Sequence, residues 1–219
     1  MRRFSEYINT IIHADCIDIM RELPDKCIDL VLTDPPYGIS VNMNAGKKRG
    51  EQDRYDNLKW DKNAPDEHYF DEIKRVSKNQ IIWGCNYFSK LLWSAGRISW
   101  FKDNGADNDY SDCELAMHTF NTRVTNIAIQ WSGYIKPASE RGTTRIHPTQ
   151  KPIDLFTWCL SKYSKENDLI LDPFSGSGTT AIACHRMNRR FICIEKEEKY
   201  VKLSRERLKI EKMQQRLPL

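Results

Sequence analysis

No apolar run in this sequence approaches the roughly 18–20 residues that a helix needs to cross a bilayer, and no signal-peptide pattern opens it. With both absent, the protein is expected in the cytoplasm and without a membrane partner. There is no C-x-x-C pair either. The seven cysteines are an odd count and stand mostly among apolar neighbours, as at Cys27, Cys85 and Cys193. That argues against a disulfide framework or a zinc site and for reduced, buried thiols, so no metal is expected. No repeat or low-complexity tract interrupts the chain.

What is present suits a soluble globular protein: 219 residues, 40% apolar and 29% charged. The length fits one domain spanning residues 1–219 with loop insertions. A net charge of +4 permits a polyanionic partner without requiring one.

The hydrophobic period switches repeatedly between strand and helix, which predicts an α/β fold. Strands are expected near 9–13, 28–33, 80–84, 97–101, 113–118, 124–131, 168–172 and 191–195, and helices near 16–22, 66–76, 86–94, 152–163, 178–188 and 196–213. The strand runs are continuously apolar, as for strands covered on both faces. Trp83, Trp100 and Trp131 lie on or beside them and are expected in the core. Residues 40–65 and 132–150 resist a periodic reading and are expected to form long surface loops.

Two stretches carry chemistry. In "DLVLTDPPYGI" (29–39) an apolar strand stops at Asp34, and Pro35 and Pro36 stiffen the chain before Tyr37. In "DLILDPFSGSGTTA" (168–181) a second strand stops at Asp172, and a glycine-rich turn leads into a helix expected to start at Thr179 or Thr180. Glycines let backbone approach a ligand closely, and a helix N-terminus suits an anionic group. The next strand ends at Glu195, the usual place for an acid that holds ribose hydroxyls. The turn reads F-S-G-S-G-T and lacks the third glycine of the dinucleotide fingerprint, which favours another adenosine-bearing cofactor.

Taken in order, "HADC" (13–16), "TDPPYGI" (33–39), "IIWGCNYF" (81–88), "CELAM" (113–117), "HPTQKP" (147–152), "LDPFSGSGTT" (171–180) and "FICIEKEEKYVKLSRERL" (191–208) resemble the beta class of amino-group DNA methyltransferases. The resemblance covers nearly the whole chain. It implies a seven-stranded, mostly parallel sheet with helices on both faces, a Rossmann-like methyltransferase fold in circularly permuted motif order. The strands ending at Asp34 and Asp172 would lie side by side at the topological switch point, one turn facing the base and the other the cofactor.

The cofactor so implied is S-adenosyl-L-methionine, and the reaction is methyl transfer to the 6-amino group of adenine. Aspartate at the head of the tetrad usually goes with adenine in this family. The 4-amino group of cytosine, or an RNA substrate, is the alternative. Asp34, Pro35, Pro36 and Tyr37 would be catalytic: Asp34 and the Pro35 carbonyl accept the two amine N–H bonds, and Tyr37 stacks on the extruded base. The cofactor contacts carried over are Asp15, Cys16, Asp34, His147, Thr149, Lys151, Asp172, Phe174, Ser175, Gly176, Gly178, Thr179 and Glu195. Among them, Asp172 would lie near the methionine amine and Lys151 would pair with the methionine carboxylate. Asp15 reads equally as a helix cap, and Asn86 receives no role.

The partner implied is double-stranded DNA. Lys47, Lys48, Arg49 and Arg54 on one loop and Lys136, Arg141 and Arg145 on the other are the candidates for phosphate contact. The stretch between "CELAM" and "HPTQKP", where this family normally reads its target, is only about thirty residues here. That shortness favours help from the 40–65 loop or a homodimer. A cognate restriction endonuclease as partner is left open.

Overall fold

The computed structural model describes residues 3–39, 64–91, 93–103, 111–131 and 136–214. Eight strands form one sheet: β1 (Thr10–His13), β2 (Ile28–Thr33), β3 (Ser77–Trp83), β4 (Gly96–Phe101), β5 (Cys113–His118), β6 (Val124–Ala128), β7 (Leu169–Asp172) and β8 (Arg190–Glu195). Their order is β1-β8-β7-β2-β3-β5-β4-β6. Only β5 runs against its neighbours, pairing antiparallel with β3 and with β4. The sheet has eight strands rather than the seven implied by the family resemblance. At one edge β6 pairs parallel with β4.

The continuous apolar runs are read two ways by a pleated strand, whose side chains alternate between faces. Leu30, Leu32, Ile81 and Trp83 point to one layer, with α3 (Ile153–Tyr163), α4 (Thr179–Arg186) and Leu208 of α5 (Glu198–Gln214). Val31 and Ile82 point to the other, with α1 (Cys16–Glu22) and α2 (Glu67–Val76). Leu30, Val31 and Leu32 are at most 1% exposed. Each such burial stabilises by about 1.5–3 kcal/mol, which fixes the register of β2 and so the position of the turn beyond it. Trp83, Trp100 and Trp131 are buried.

Local signals set the ends of the helices. Asp15 accepts the Ile17 N–H at 3.1 Å and caps α1, as the plainer reading of that residue expects. Asp66 caps α2 in the same way through His68. Phe70, Ile73 and Val76 give α2 its buried stripe. The helix expected over 86–94 is instead a 3-10 segment, Cys85–Leu91, broken by the non-helical backbone of Phe88. It follows Gly84, whose φ of +69° ends β3 abruptly.

Candidate active site

Strands β2 and β7 are parallel neighbours, with Leu30 opposite Ile170 and Val31 opposite Leu171. Their acid-bearing turns therefore emerge side by side, where the chain turns outward in both directions along the sheet. Thr33 Oγ1 donates to Asp172 Oδ1 at 2.7 Å and clasps one strand end to the other. The Thr180 hydroxyl donates to Asp172 Oδ2, and the Phe174 N–H donates to Oδ1. Burial pushes the Asp172 carboxyl up to about 6 in spite of these donors.

At the first turn Tyr37 donates its hydroxyl to Asp34 Oδ1 at 2.6 Å. Lys151 Nζ lies 2.5 Å from Asp34 Oδ2 and 3.0 Å from Glu114 Oε2. The other oxygen of Glu114 lies 2.7 Å from Lys102 Nζ. Two carboxylates and two ammoniums thus alternate in one half-buried chain. Burial pushes the Asp34 carboxyl above its ordinary value despite Lys151, and Glu114 adds to the rise. Burial also opposes the charge on Glu114, but Lys151 and Lys102 outweigh it and hold that carboxyl at about 2. Burial disfavours the Lys151 charge, and the two acids more than compensate, so its ammonium is retained. Removing one member would strand a buried charge, which costs about 3–5 kcal/mol.

Tyr37 is held by close packing as well. Its ring stacks on Tyr87 with centroids 4.6 Å apart and planes 16° from parallel. A β-carbon at Gly84 would fall 2.0 Å from its Cε1, so only glycine admits the ring there.

The second turn places Gly176 and Gly178 in left-handed backbone, with α4 starting at Thr179. Glu195 accepts the Gly176 N–H on Oε2 and the Glu197 N–H on Oε1, both at 2.8 Å. Burial still raises its carboxyl above the ordinary range. His147 packs edge-on against Tyr200, and its Nδ1 accepts the Thr149 N–H. Burial, with Arg145 and Lys151 nearby, lowers His147 to about 3, so the ring is neutral.

The two turns share one cleft. Every residue assigned from sequence to the tetrad or the cofactor lines it, except Gly178. Lys151, assigned from sequence to a cofactor carboxylate, has its ammonium between Asp34 and Glu114. Among the described residues, the buried lining atoms Ser175 Oγ and Gln150 Nε2 have no hydrogen-bond partner. Glu114, Lys102 and Tyr87 are parts of this arrangement that sequence reasoning missed. A charge inside the otherwise apolar strand "CELAM" was the available signal for Glu114.

The candidate DNA contacts Lys47, Lys48, Arg49 and Arg54 lie outside the described residues. In the second loop Arg141 is exposed, Arg145 donates to the His147 carbonyl at 3.1 Å, and Lys136 donates to the Thr143 carbonyl. That loop is anchored by Glu140, fully buried, which accepts the Ile153 N–H at 2.6 Å and pairs with Arg207. Among the described residues no helix is long and apolar enough to cross a membrane, and no cluster of three or more potential ligands could hold a metal ion.

The chain is 27% identical to the type II methyltransferase M.HinfI of Haemophilus influenzae, across 94% of this chain and 69% of that protein. It is 29% identical to the type II methyltransferase M2.DpnII of Streptococcus pneumoniae, across 92% and 90%. Among solved structures, an M1.HpyAVI–SAM complex overlays with a TM-score of 0.64 at 24% identity, covering 91% of this chain and 98% of that one. The cytosine-N4-specific PvuII DNA methyltransferase overlays with a TM-score of 0.62 at 16% identity, covering 92% and 90%. Residues 80–206, more than half of the sequence, match the DNA methylase family of N6 and N4 enzymes, and the chain belongs to that family.

Proposed function

We propose that this DNA methylase transfers a methyl group from S-adenosyl-L-methionine to the exocyclic 6-amino group of adenine in double-stranded DNA. The observation that carries the reading is the sharing of one cleft by the Asp34–Tyr37 corner, the glycine turn at 173–178 and Glu195, which accepts the Gly176 N–H. The cleft suits an adenosine-bearing zwitterion. Glu195 has lone pairs left for ribose hydroxyls beyond its two backbone donors. Ser175 Oγ and Gln150 Nε2 are buried polar groups of the kind that a bound ligand satisfies. When bound, S-adenosylmethionine supplies an electrophilic methyl group on a sulfonium.

The chain's own task is to make a poor nucleophile attack. The adenine amine is weak because its lone pair is delocalised into the ring. Asp34 and the Pro35 carbonyl, accepting its two N–H bonds, localise that lone pair. The N–C bond then forms as the C–S bond breaks, and nitrogen gains positive charge. The Asp34 carboxylate stabilises that charge and receives the proton that leaves. Holding the partners in line supplies much of the rest. Extruding the base costs a few kcal/mol, of which stacking on Tyr37 returns about 1–3. Tyr87 now covers one face of that ring, so a base stacking there would take its place.

The test is to incubate the protein with methyl-labelled S-adenosylmethionine and mixed-sequence duplex DNA, then to separate the nucleosides. Label in N6-methyladenine is expected. Label in N4-methylcytosine would overturn the adenine assignment, and label in added RNA alone would overturn the choice of DNA.

A further inference from the structure

Both groups that occupy Asp34 have the same second acceptor. Lys151 Nζ is 2.5 Å from Asp34 and 3.0 Å from Glu114. The Tyr37 hydroxyl is 2.6 Å from Asp34 and 3.3 Å from Glu114. Glu114 is itself steadied from behind by Lys102 at 2.7 Å. Resting on the reading above, we propose that Glu114 is a positioning residue that takes Lys151 from Asp34 when the target amine docks.

Asp34 must present negative charge to an amine that turns cationic during transfer. With Lys151 at full strength on Oδ2, that charge is already neutralised. Lys151 is only 7% exposed and cannot withdraw into water. Glu114 solves this by offering a partner within hydrogen-bond reach, so the ammonium moves aside without becoming an unpaired buried charge. The count also balances: Lys102 and Lys151 serve Glu114, and Asp34 is left for the nitrogen. Glu114 never touches the substrate; it acts through Lys151.

The test is a double-variant cycle of Glu114→Gln and Lys151→Met. Single-turnover methyl transfer to duplex DNA is measured with saturating labelled S-adenosylmethionine, and cofactor Kd is measured by calorimetry. With Lys151 present, Glu114→Gln leaves the ammonium fixed on Asp34, and the rate is expected to fall at least tenfold while cofactor Kd changes less than threefold. With Lys151→Met, Glu114 has no ammonium to take from Asp34 and its remaining effect on Asp34 is repulsion, so the same Glu114→Gln change is expected to raise the rate at least threefold. A merely structural Glu114 would lower the rate in both backgrounds, and that result, or no loss in the first, would overturn the proposal. If Glu114→Gln alone fails to bind cofactor, the Lys151→Met background decides, where any outcome but an increase overturns it. A wild-type protein that moves no label to DNA would instead overturn the underlying reading, and this proposal with it.

Discussion

Thr33 Oγ1 donates to Asp172 Oδ1 across 2.7 Å, joining the strand that ends in the acid-proline-proline-tyrosine turn to the strand that ends in the glycine turn. The bond lies between residues 139 positions apart, just beyond the stretch where Leu30 and Val31 of β2 pair with Ile170 and Leu171 of β7. Through it, the position of Asp34 depends on the position of the turn that holds Glu195.

Gly84→Ala should release Tyr37. The new β-carbon would meet Cε1 at 2.0 Å, and φ is +69°. The left-handed backbone costs about 1–2 kcal/mol and overpacking typically about 1–3 more. A thermal melt should show destabilisation of that order, with methyl transfer lost more severely than stability. An unchanged melt would contradict the packing described.

Two buried groups should give opposite pH signatures. His147 is held at about 3, below the 6.5 of a free histidine, so its stabilising contribution is present above pH 6.5 and is lost as pH falls toward 3. Between pH 6.5 and 4 the wild type should lose about 3 kcal/mol relative to His147→Gln in urea unfolding. Asp172 is raised from 3.8 to about 6, so its contribution is present below pH 3.8 and is lost as pH rises to 6. Over that range the wild type should lose about 2 kcal/mol relative to Asp172→Asn. Parallel curves for either pair would refute the burial argument.

Arg141 is exposed on the loop between β6 and the "HPTQKP" block. If it meets phosphate, Arg141→Ala should weaken binding to unrelated duplexes about equally and lower the slope of log K against log salt by about 1. Fluorescence anisotropy across a salt series checks this. An unchanged slope would remove Arg141 from the interface.

The parts of this molecule legible in the sequence are those written in contiguous residues. The Leu30–Leu32 run, the prolines after Asp34 and the glycines after Asp172 announce two strand-turn units, and periodicity alone finds all eight strands. Boundaries were less legible where polar residues pair. Strand β3 begins at Ser77 rather than near residue 80 because Ser77 and Asn79 lie in register with Ile28 and Leu30 of β2. The acid–lysine chain was not legible at all. Lys102, Glu114 and Lys151 come from separate parts of the chain, and only the pairing of β5 with β3 and β4 brings Glu114 to Asp34. The stack of Tyr87 on Tyr37 is of the same kind, since no local pattern joins residues fifty positions apart.

The most direct test of the account is Asp34→Ala, with S-adenosylmethionine binding and transfer to adenine measured on the same preparation. Cofactor Kd should stay within about threefold, because Glu195 and the glycine turn are untouched, while the single-turnover rate should fall by at least about 10²–10³, the loss typical when one charge-stabilising group is removed. A variant that methylates adenine at the wild-type rate would contradict the central claim.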